Sequence, residues 1–363
     1  MTAEQDRRFM ALAIALGARG LGRVWPNPAV GCVIVTGGRI LGRGWTQDGG
    51  RPHAEAVALA QAGPAARGAS AYVSLEPCSH HGKTPPCAEA LAAAGIARVV
   101  TALEDPDPRV SGRGHALLRA AGIEVASGVL AAEAAAAQAG FLSRIATGRP
   151  FVTLKLATSF DGRIATAAGE SRWITGPEAR HLVHALRARY DAVLVGGGTL
   201  RADDPLLTVR GMGARRQPVR VVASAGLNLP LGRLAGSVRE GPVWLLHGEA
   251  PAQARAAWQA VGARLLPVPQ QGAWLDPAVM LQVLGQEGLT RVFCEGGGQF
   301  AASLLAAGLV DEVIGFTAGL ALGAGGRPSL GPLPAGALAD APRFALAETR
   351  NVGGDVLHRW RKV

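Results

Sequence analysis

His53, Glu55, Cys78 and Cys87 are the residues of this 363-residue chain whose types and spacing could do chemistry. One imidazole and two thiols can hold a zinc ion by three bonds, leaving the fourth tetrahedral position to water. Glu55, two residues after the histidine, is then spare and suited to moving that water's proton. A structural zinc knuckle, or two unrelated buried cysteines near a surface histidine, competes with this reading. Closed structural sites usually take four Cys or His ligands, and Glu55 would then have no task.

His53-Ala54-Glu55 followed by Pro77-Cys78 is the signature of zinc-dependent deaminases. Zinc lowers the pKa of bound water from about 15.7 towards 7. The resulting hydroxide would attack an amidine-type ring carbon, with Glu55 taking the proton and returning it to the departing amine. Nucleic-acid and nucleoside deaminases usually carry Cys-x-x-Cys, whereas Ser79-His80-His81-Gly82-Lys83-Thr84-Pro85-Pro86 separates the two cysteines here. That segment is polar, basic and stiffened by prolines. It could hold a substrate phosphate, or simply span the ligands.

The elements that must position these groups alternate between helix and strand. Apolar residues at helical spacing predict a helix over 4–19, and Pro26-Asn27-Pro28 reads as a loop. A strand over 30–35 pairs across Gly37-Gly38 with 39–44. Cys32 lies inside it and reads as core. Pro52 stands as a first helical residue ahead of a helix over 53–62. A strand over 71–75, a helix from Cys87 to about residue 94, a strand over 98–102, a helix over 114–121 and a strand over 124–126 complete an α/β layer. His53 and Cys87 thus fall in first helical turns, where the helix dipole favours thiolate.

A helix over 131–146 leads to Gly148-Arg149-Pro150, and this punctuation before a fresh strand at Phe151 sets a domain boundary. The expected domains are 1–148 and 149–363. In the second, strands over 151–157, 192–195, 219–223, 243–247 and 292–294 alternate with helices over 177–188 and 250–261 and with a helix running to about residue 307. Strands near 313–316 and 356–360 close it. Gly196-Gly197-Gly198 and Glu295-Gly296-Gly297-Gly298 each follow a strand and open towards a helix, where α/β sheets bind phosphorylated ligands. No Gly-x-Gly-x-x-Gly follows the first strand, so an ordinary Rossmann dinucleotide domain is not supported.

Hydrophobic residues make up 48% and charged residues 18%, which describes a soluble globular protein with ample core. No apolar run suits a membrane span and the N-terminus lacks a signal-peptide shape, so a cytoplasmic place is expected. Four cysteines do not make a disulfide framework, and a reducing compartment suits thiolate ligands. The net charge of +10 raises nucleic acid as a partner, but Lys83, Lys155 and Lys362 are the only lysines and the arginines form no run. Small phosphorylated substrates, with a composition that favours arginine, explain the charge better than a basic groove for RNA does.

The long cysteine loop, with Pro26-Asn27-Pro28 and Gly31-Cys32-Val33-Ile34-Val35, resembles the deaminase half of the RibD family of bifunctional riboflavin-biosynthesis enzymes. The resemblance runs on through Lys155-Leu156-Ala157-Thr158-Ser159-Phe160-Asp161-Gly162-Arg163, Gly169-Glu170-Ser171-Arg172-Trp173-Ile174-Thr175 and Gly198 to Arg210, covering nearly the whole chain. It implies a cytidine-deaminase-like three-layer domain followed by a dihydrofolate-reductase-like α/β domain. It implies hydrolysis of the 2-amino group of 2,5-diamino-6-ribosylamino-4(3H)-pyrimidinone 5′-phosphate, then NADPH-dependent reduction of the ribosylamino group to ribitylamino. Zinc would lie on His53, Cys78 and Cys87, with Glu55 catalytic and Asn27, His80 and Lys83 on the first substrate. Ala157, Trp173, Thr199, Asp203, Ser224 and the run Gly297, Gly298, Gln299, Phe300, Ala301, Ala302 and Ser303 would contact NADPH. Ser171, Arg187, Leu206, Arg210 and Glu295 would hold the second substrate.

The family's usual Asp-Ser pair after the third strand of this domain is here Ala223-Ser224, which puts the geometry around Ser224 in question. Trp173 could be core, Arg187 an exposed helix charge, and Thr199 and Asp203 a turn cap. The expected partners are a small phosphorylated pyrimidine and further copies of the chain, with no nucleic acid and no membrane. A tRNA base deaminase with an accessory domain, a structural-zinc nucleotide sensor, and a form with only the deaminase half active remain the alternatives.

Overall fold

The computed structural model describes residues 2–81, 85–213 and 216–363. The chain divides into two compact units, Met1–Gly148 and Arg149–Val363. In the first, α1 (Ala3–Gly17) precedes the hairpin of β1 (Gly31–Thr36) and β2 (Arg39–Trp45). Then come α2 (Ala54–Ala62), β3 (Ser70–Val73), α3 (Cys87–Ala93), β4 (Arg98–Thr101), α4 (Arg113–Ala120), β5 (Glu124–Ala126) and α5 (Ala131–Thr147). The sheet order is β2-β1-β3-β4-β5, with β1 antiparallel to both its neighbours and β3, β4 and β5 parallel.

Strand alternation in β1 sorts the layers. Cys32 and Ile34 point into a core with Ala54, Ala58, Leu91 and Leu118 of α2, α3 and α4. Val33 and Val35 point the other way, against Phe9 and Met10 of α1 and Ala134 of α5. Three layers result, and Cys32 is fully buried core. α2 lies unusually close to the sheet because β2 offers it glycines. A Cβ on Gly44 would collide with the Ala54 carbonyl, and one on Gly42 with that of Ala58. This close approach fixes where the start of α2, and so His53 and Glu55, can be.

The second unit opens with β6 (Phe151–Ser159), β7 (Arg163–Ala165), α6 (Pro177–Arg187), β8 (Ala192–Gly196) and α7 (Gly197–Asp203). It continues with β9 (Val219–Ala223), α8 (Arg233–Gly236), β10 (Val243–His247), α9 (Ala252–Ala260), β11 (Arg264–Pro267), β12 (Gln270–Gln271) and β13 (Trp274–Leu275). Last come α10 (Pro277–Gln286), β14 (Arg291–Cys294), α11 (Gly298–Ala306), β15 (Glu312–Ala318), β16 (Arg327–Pro328), β17 (Phe344–Val352) and β18 (Asp355–Lys362). Nine strands form one sheet in the order β11-β10-β9-β8-β14-β6-β15-β18-β17, all running the same way except β18, which is antiparallel to both β15 and β17. From β8 the chain builds outwards to β11, then returns so that β14 lies between β8 and β6. That reversal leaves a crevice at the carboxyl ends of β8 and β14.

Two details differ from expectation. Pro52 is not the first helical residue: α2 begins at Ala54, and His53 is its N-cap with extended backbone. β11, α10 and β17, with the short elements β7, α8, β12, β13 and β16, were not expected from the sequence. Among the described residues no helix is long and apolar enough to cross a membrane.

Candidate active site

The three expected metal donors meet. Cys78 follows β3, Cys87 opens α3 and His53 caps α2, so three elements converge. His53 Nδ1 lies 3.6 Å from Cys78 Sγ and 3.3 Å from Cys87 Sγ, and all three donor atoms fall within 4.8 Å of one another. A tetrahedral ion with bonds of about 2.3 Å to sulfur and about 2.0 Å to nitrogen needs edges of about 3.5 to 3.8 Å. The donor set therefore fits zinc in both chemistry and spacing. Cys78 Sγ accepts from the Cys87 N–H at 3.4 Å, and the Cys78 carbonyl accepts from Ala88 N–H at 3.1 Å. The start of α3 thus holds the first cysteine, and thiolate character is favoured there. The Cys87 hydrogen bond, ahead of that with His53, brings the Cys78 thiol down to about 4. Cys87, as donor to Cys78 and in a buried position, is pushed up. His53 is raised, mainly by its contact with Cys78.

Glu55 is 4% exposed, and burial first, then the Cys78 charge, raises its carboxyl to about 7. It lines the same cleft of about 350 Å³ as His53, Cys78, Asn27 and His80. A buried carboxyl with a pKa near neutrality can both take and return a proton. His80 Nδ1 is buried and has no hydrogen-bond partner among the described residues, as expected of a group aimed at a ligand. Lys83 lies outside the described residues. His81 pairs with Glu89 at 3.1 Å.

Other groups escaped the sequence reading. Arg51, Arg109 and Arg144 line the cleft, as do Asp105 and Asp107. Burial, together with Asp107 and Glu76, raises Asp105 to about 6. Glu76 is buried and accepts from three backbone N–H groups, those of Asp105 at 3.1 Å, Gly112 at 3.0 Å and His115 at 3.1 Å. It ties the turn before Cys78 to the loop that carries the aspartates. Glu76, Glu104 and His115 also lie close together. Glu76 is committed to those three bonds, however, and His115 Nε2 meets Thr101 Oγ1 at 3.0 Å. The one available signal was Glu76's place beside Pro77-Cys78.

In the second unit the two glycine clusters sit side by side, because β8 and β14 are neighbours. Thr199 Oγ1 accepts from Gly297 N–H at 2.9 Å, and Phe300 packs on both loops so closely that a Cβ on Gly296 would collide with it. Gly297 caps α11 without a side chain, leaving first-turn N–H groups for an anion. Ser224 lies against Gly197. Ala301 and Ala302 are buried towards the core, whereas Gln299 and Ser303 are exposed. Trp173 is 67% exposed, with the Arg180 guanidinium 4.6 Å from its ring centre. It is therefore not core. The Asp203 carbonyl accepts from Arg172 Nη2 at 2.8 Å.

Arg187 is not an exposed helix charge. Its Nε and Nη2 donate to the two oxygens of Glu295 at 2.5 and 3.1 Å, and its Nη1 to the Thr208 carbonyl at 2.8 Å. Lys155 Nζ stands 3.8 Å from Glu295. Burial would raise the Glu295 carboxyl, but Arg187 and Lys155 outweigh it and hold it below its usual value. Arg210 donates its N–H to His184 Nδ1 at 3.3 Å and its Nη1 to Thr208 Oγ1 at 3.3 Å. Burial, then Arg187 and Arg210, lowers His184 to about 4, so its ring is neutral at pH 7. The Leu206 carbonyl accepts from the buried Arg220 at 3.3 Å. Ala157 lies on β6 and Ser171 in the loop before α6.

Fold and site together define a two-unit α/β enzyme: a zinc-type deaminase centre in the first unit and two glycine loops at neighbouring strand ends in the second. Residues 3–103 match the family described as cytidine and deoxycytidylate deaminase zinc-binding region, and residues 150–358 that described as RibD C-terminal domain. The riboflavin biosynthesis protein RibD of Escherichia coli is 44% identical over 97% of this chain and 98% of its own. That of Haemophilus influenzae is 41% identical over 97% and 96%. Among solved structures, Acinetobacter baumannii RibD matches with a TM-score of 0.90 at 39% identity over 100% of both chains. A Thermotoga maritima structure titled diaminohydroxyphosphoribosylaminopyrimidine deaminase/5-amino-6-(5-phosphoribosylamino)uracil reductase matches at 0.87 and 34% over 99% of both. The chain belongs to the RibD family. It is a bifunctional riboflavin-biosynthesis enzyme with a zinc-binding deaminase domain and an NADPH-using reductase domain.

Proposed function

We propose that residues 1–148 deaminate 2,5-diamino-6-ribosylamino-4(3H)-pyrimidinone 5′-phosphate and that residues 149–363 reduce the product's ribosylamino group to ribitylamino. The convergence of His53, Cys78 and Cys87 on a cleft that also holds buried Glu55 carries this reading. These three side chains would hold zinc, which when bound supplies a Lewis acid that makes water more acidic. Glu55 takes a proton from the attacking water and delivers it to the amino group, which leaves as ammonia while the ring carbon gains oxygen. Asn27, His80 and Lys83 orient the ring and its ribose phosphate, joined at the rim by Arg51 and Arg144.

In the second unit the first turn of α11, with Thr199, Asp203, Ser224, Ala157 and Trp173, binds NADPH, which when bound supplies the hydride. Ser171, Arg187, Leu206, Arg210 and Glu295 hold the other substrate, the Arg187–Glu295 fork keeping its shape before binding. All four cysteines are free, which suits a reducing cytoplasm. The partners are this small phosphorylated pyrimidine and further copies of the chain, without nucleic acid. The test supplies the diaminopyrimidine ribotide with and without NADPH. Ammonia release, followed by loss of absorbance at 340 nm only when NADPH is present, is expected. Ammonia without NADPH oxidation would mean the reductase half is silent, and tRNA deamination without ribotide turnover would sink the reading.

A further inference from the structure

We propose that Arg201 of α7 reads the 2′-phosphate of NADPH and so sets the preference of the second unit for NADPH over NADH. The inference rests on the cofactor site of the functional reading and assigns a residue to one part of that cofactor. The sheet order β9-β8-β14-β6 gives the cofactor its direction. Lys155 of β6 and Glu295 after β14 stand 3.8 Å apart in the expected substrate cluster, and Ala157 follows on the same strand. The nicotinamide end therefore lies over β14 and β6. The first turn of α11 takes the pyrophosphate. The adenosine end must then cross β8 towards β9, where Ser224 is expected to touch it.

Arg201 stands where that end arrives. Its side chain reaches back along α7: Nη2 would lie 4.0 Å from a Cβ on Gly198, and Nη1 donates to the Asn228 carbonyl at 3.0 Å. A Cβ on the neighbouring Gly197 would come within 3.1 Å of the Ser224 hydroxyl oxygen. The guanidinium thus bridges the glycine loop after β8 and the loop after β9, the two loops that also meet at Ser224. Arg201 is exposed, and among the described residues its hydrogen bond goes to a neutral carbonyl and no carboxylate pairs with it. Residues 223–229 contain no acidic side chain either. A ribose with two free hydroxyls is commonly held by a carboxylate, whereas a phosphate on the 2′ oxygen asks for a cation with several N–H donors. Arg172, by contrast, bonds the Asp203 carbonyl at the far end of α7.

The test is calorimetric titration of the full chain with NADPH, NADH, adenosine 2′,5′-bisphosphate and 5′-AMP. Arg201→Leu should weaken NADPH and the bisphosphate by about 10- to 100-fold, the worth of hydrogen bonds to a charged group. NADH and 5′-AMP, which lack the 2′-phosphate, should change by less than about twofold. Arg201→Lys should recover part of the loss, because it keeps the charge without the planar fork. In turnover of the deaminated intermediate, KM for NADPH should rise in Arg201→Leu while kcat holds, since the 2′-phosphate is remote from the hydride. Thermal melting and ammonia release in the same samples report on folding. The proposal is overturned by a wild type that binds NADPH no better than NADH. It is equally overturned if Arg201→Leu weakens NADPH and NADH alike, or weakens neither. Selective NADPH binding by the wild type without oxidation on the intermediate would count against the reductase assignment and leave the role of Arg201 standing. A wild type that binds neither dinucleotide would sink both.

Discussion

Burial sets what Glu55 can do. With water excluded, its carboxyl rises to about 7, where one group can serve as base and then acid. Glu55→Gln keeps the shape and removes the proton carrier. Ammonia release should fall by about 10² to 10⁴-fold while bound zinc, measured by elemental analysis, stays at the wild-type level. Arg187 offers a contrast, because its partner Glu295 is as buried as it is. Arg187→Met would strand that carboxylate beside Lys155 alone. We expect about 3 kcal/mol lower stability by denaturant titration, with the reductase reaction lost and ammonia release retained. The cluster of His53, Cys78 and Cys87 with Glu55 was readable because residue type at short spacing carries its chemistry. Glu76, Asp105 and Arg144 were not, since their contribution depends on backbone N–H groups and on a helix some ninety residues away in sequence from His53.

At the scale of elements, the position of α2 follows from what β2 lacks. Gly44→Ala would press a Cβ into the Ala54 carbonyl, backbone against backbone, with no flexible side chain to yield. Stability should drop by about 1–3 kcal/mol and zinc occupancy with it, both measured on the same sample. α1 is tied to the sheet by Asp6, which accepts from Arg98 at 2.8 and 2.9 Å and from Tyr72 at 2.7 Å. The Arg98 hydrogen bond holds the Asp6 carboxyl below its usual value despite burial. A lowered native pKa means stability that is present above the unfolded value of about 4 and is lost as pH falls through the native one. Asp6→Asn should therefore be less stable than wild type at pH 7, and the gap in denaturant midpoint should shrink as pH falls below about 4. Strands such as β9 and β10 were legible because they are buried on both faces. β17 was not, because an edge strand exposed over most of its length has no buried face to impose alternation. α10 did carry the signal of Asp276 capping and Pro277 at the first turn, but its apolar run hid the helical period.

For the whole molecule, the decisive fact is that each group of expected site residues falls inside one compact unit. His53, Glu55, Cys78 and Cys87 all precede Gly148, and Arg187, Glu295 and both glycine loops all follow it. The sheets of the two units share no strand. Removing metal should thus separate the two reactions. Dialysis against a chelator should abolish ammonia release, and zinc should restore it. Oxidation of NADPH on the already deaminated intermediate should continue at the untreated rate, because no group of the Arg187–Glu295 cluster depends on the thiols. The same treatment applied with the starting ribotide should stop NADPH oxidation altogether, since the second site would have nothing to reduce. If chelation also stopped reduction of the supplied intermediate, the two units could not be independent, and the assignment of one reaction to each would fail.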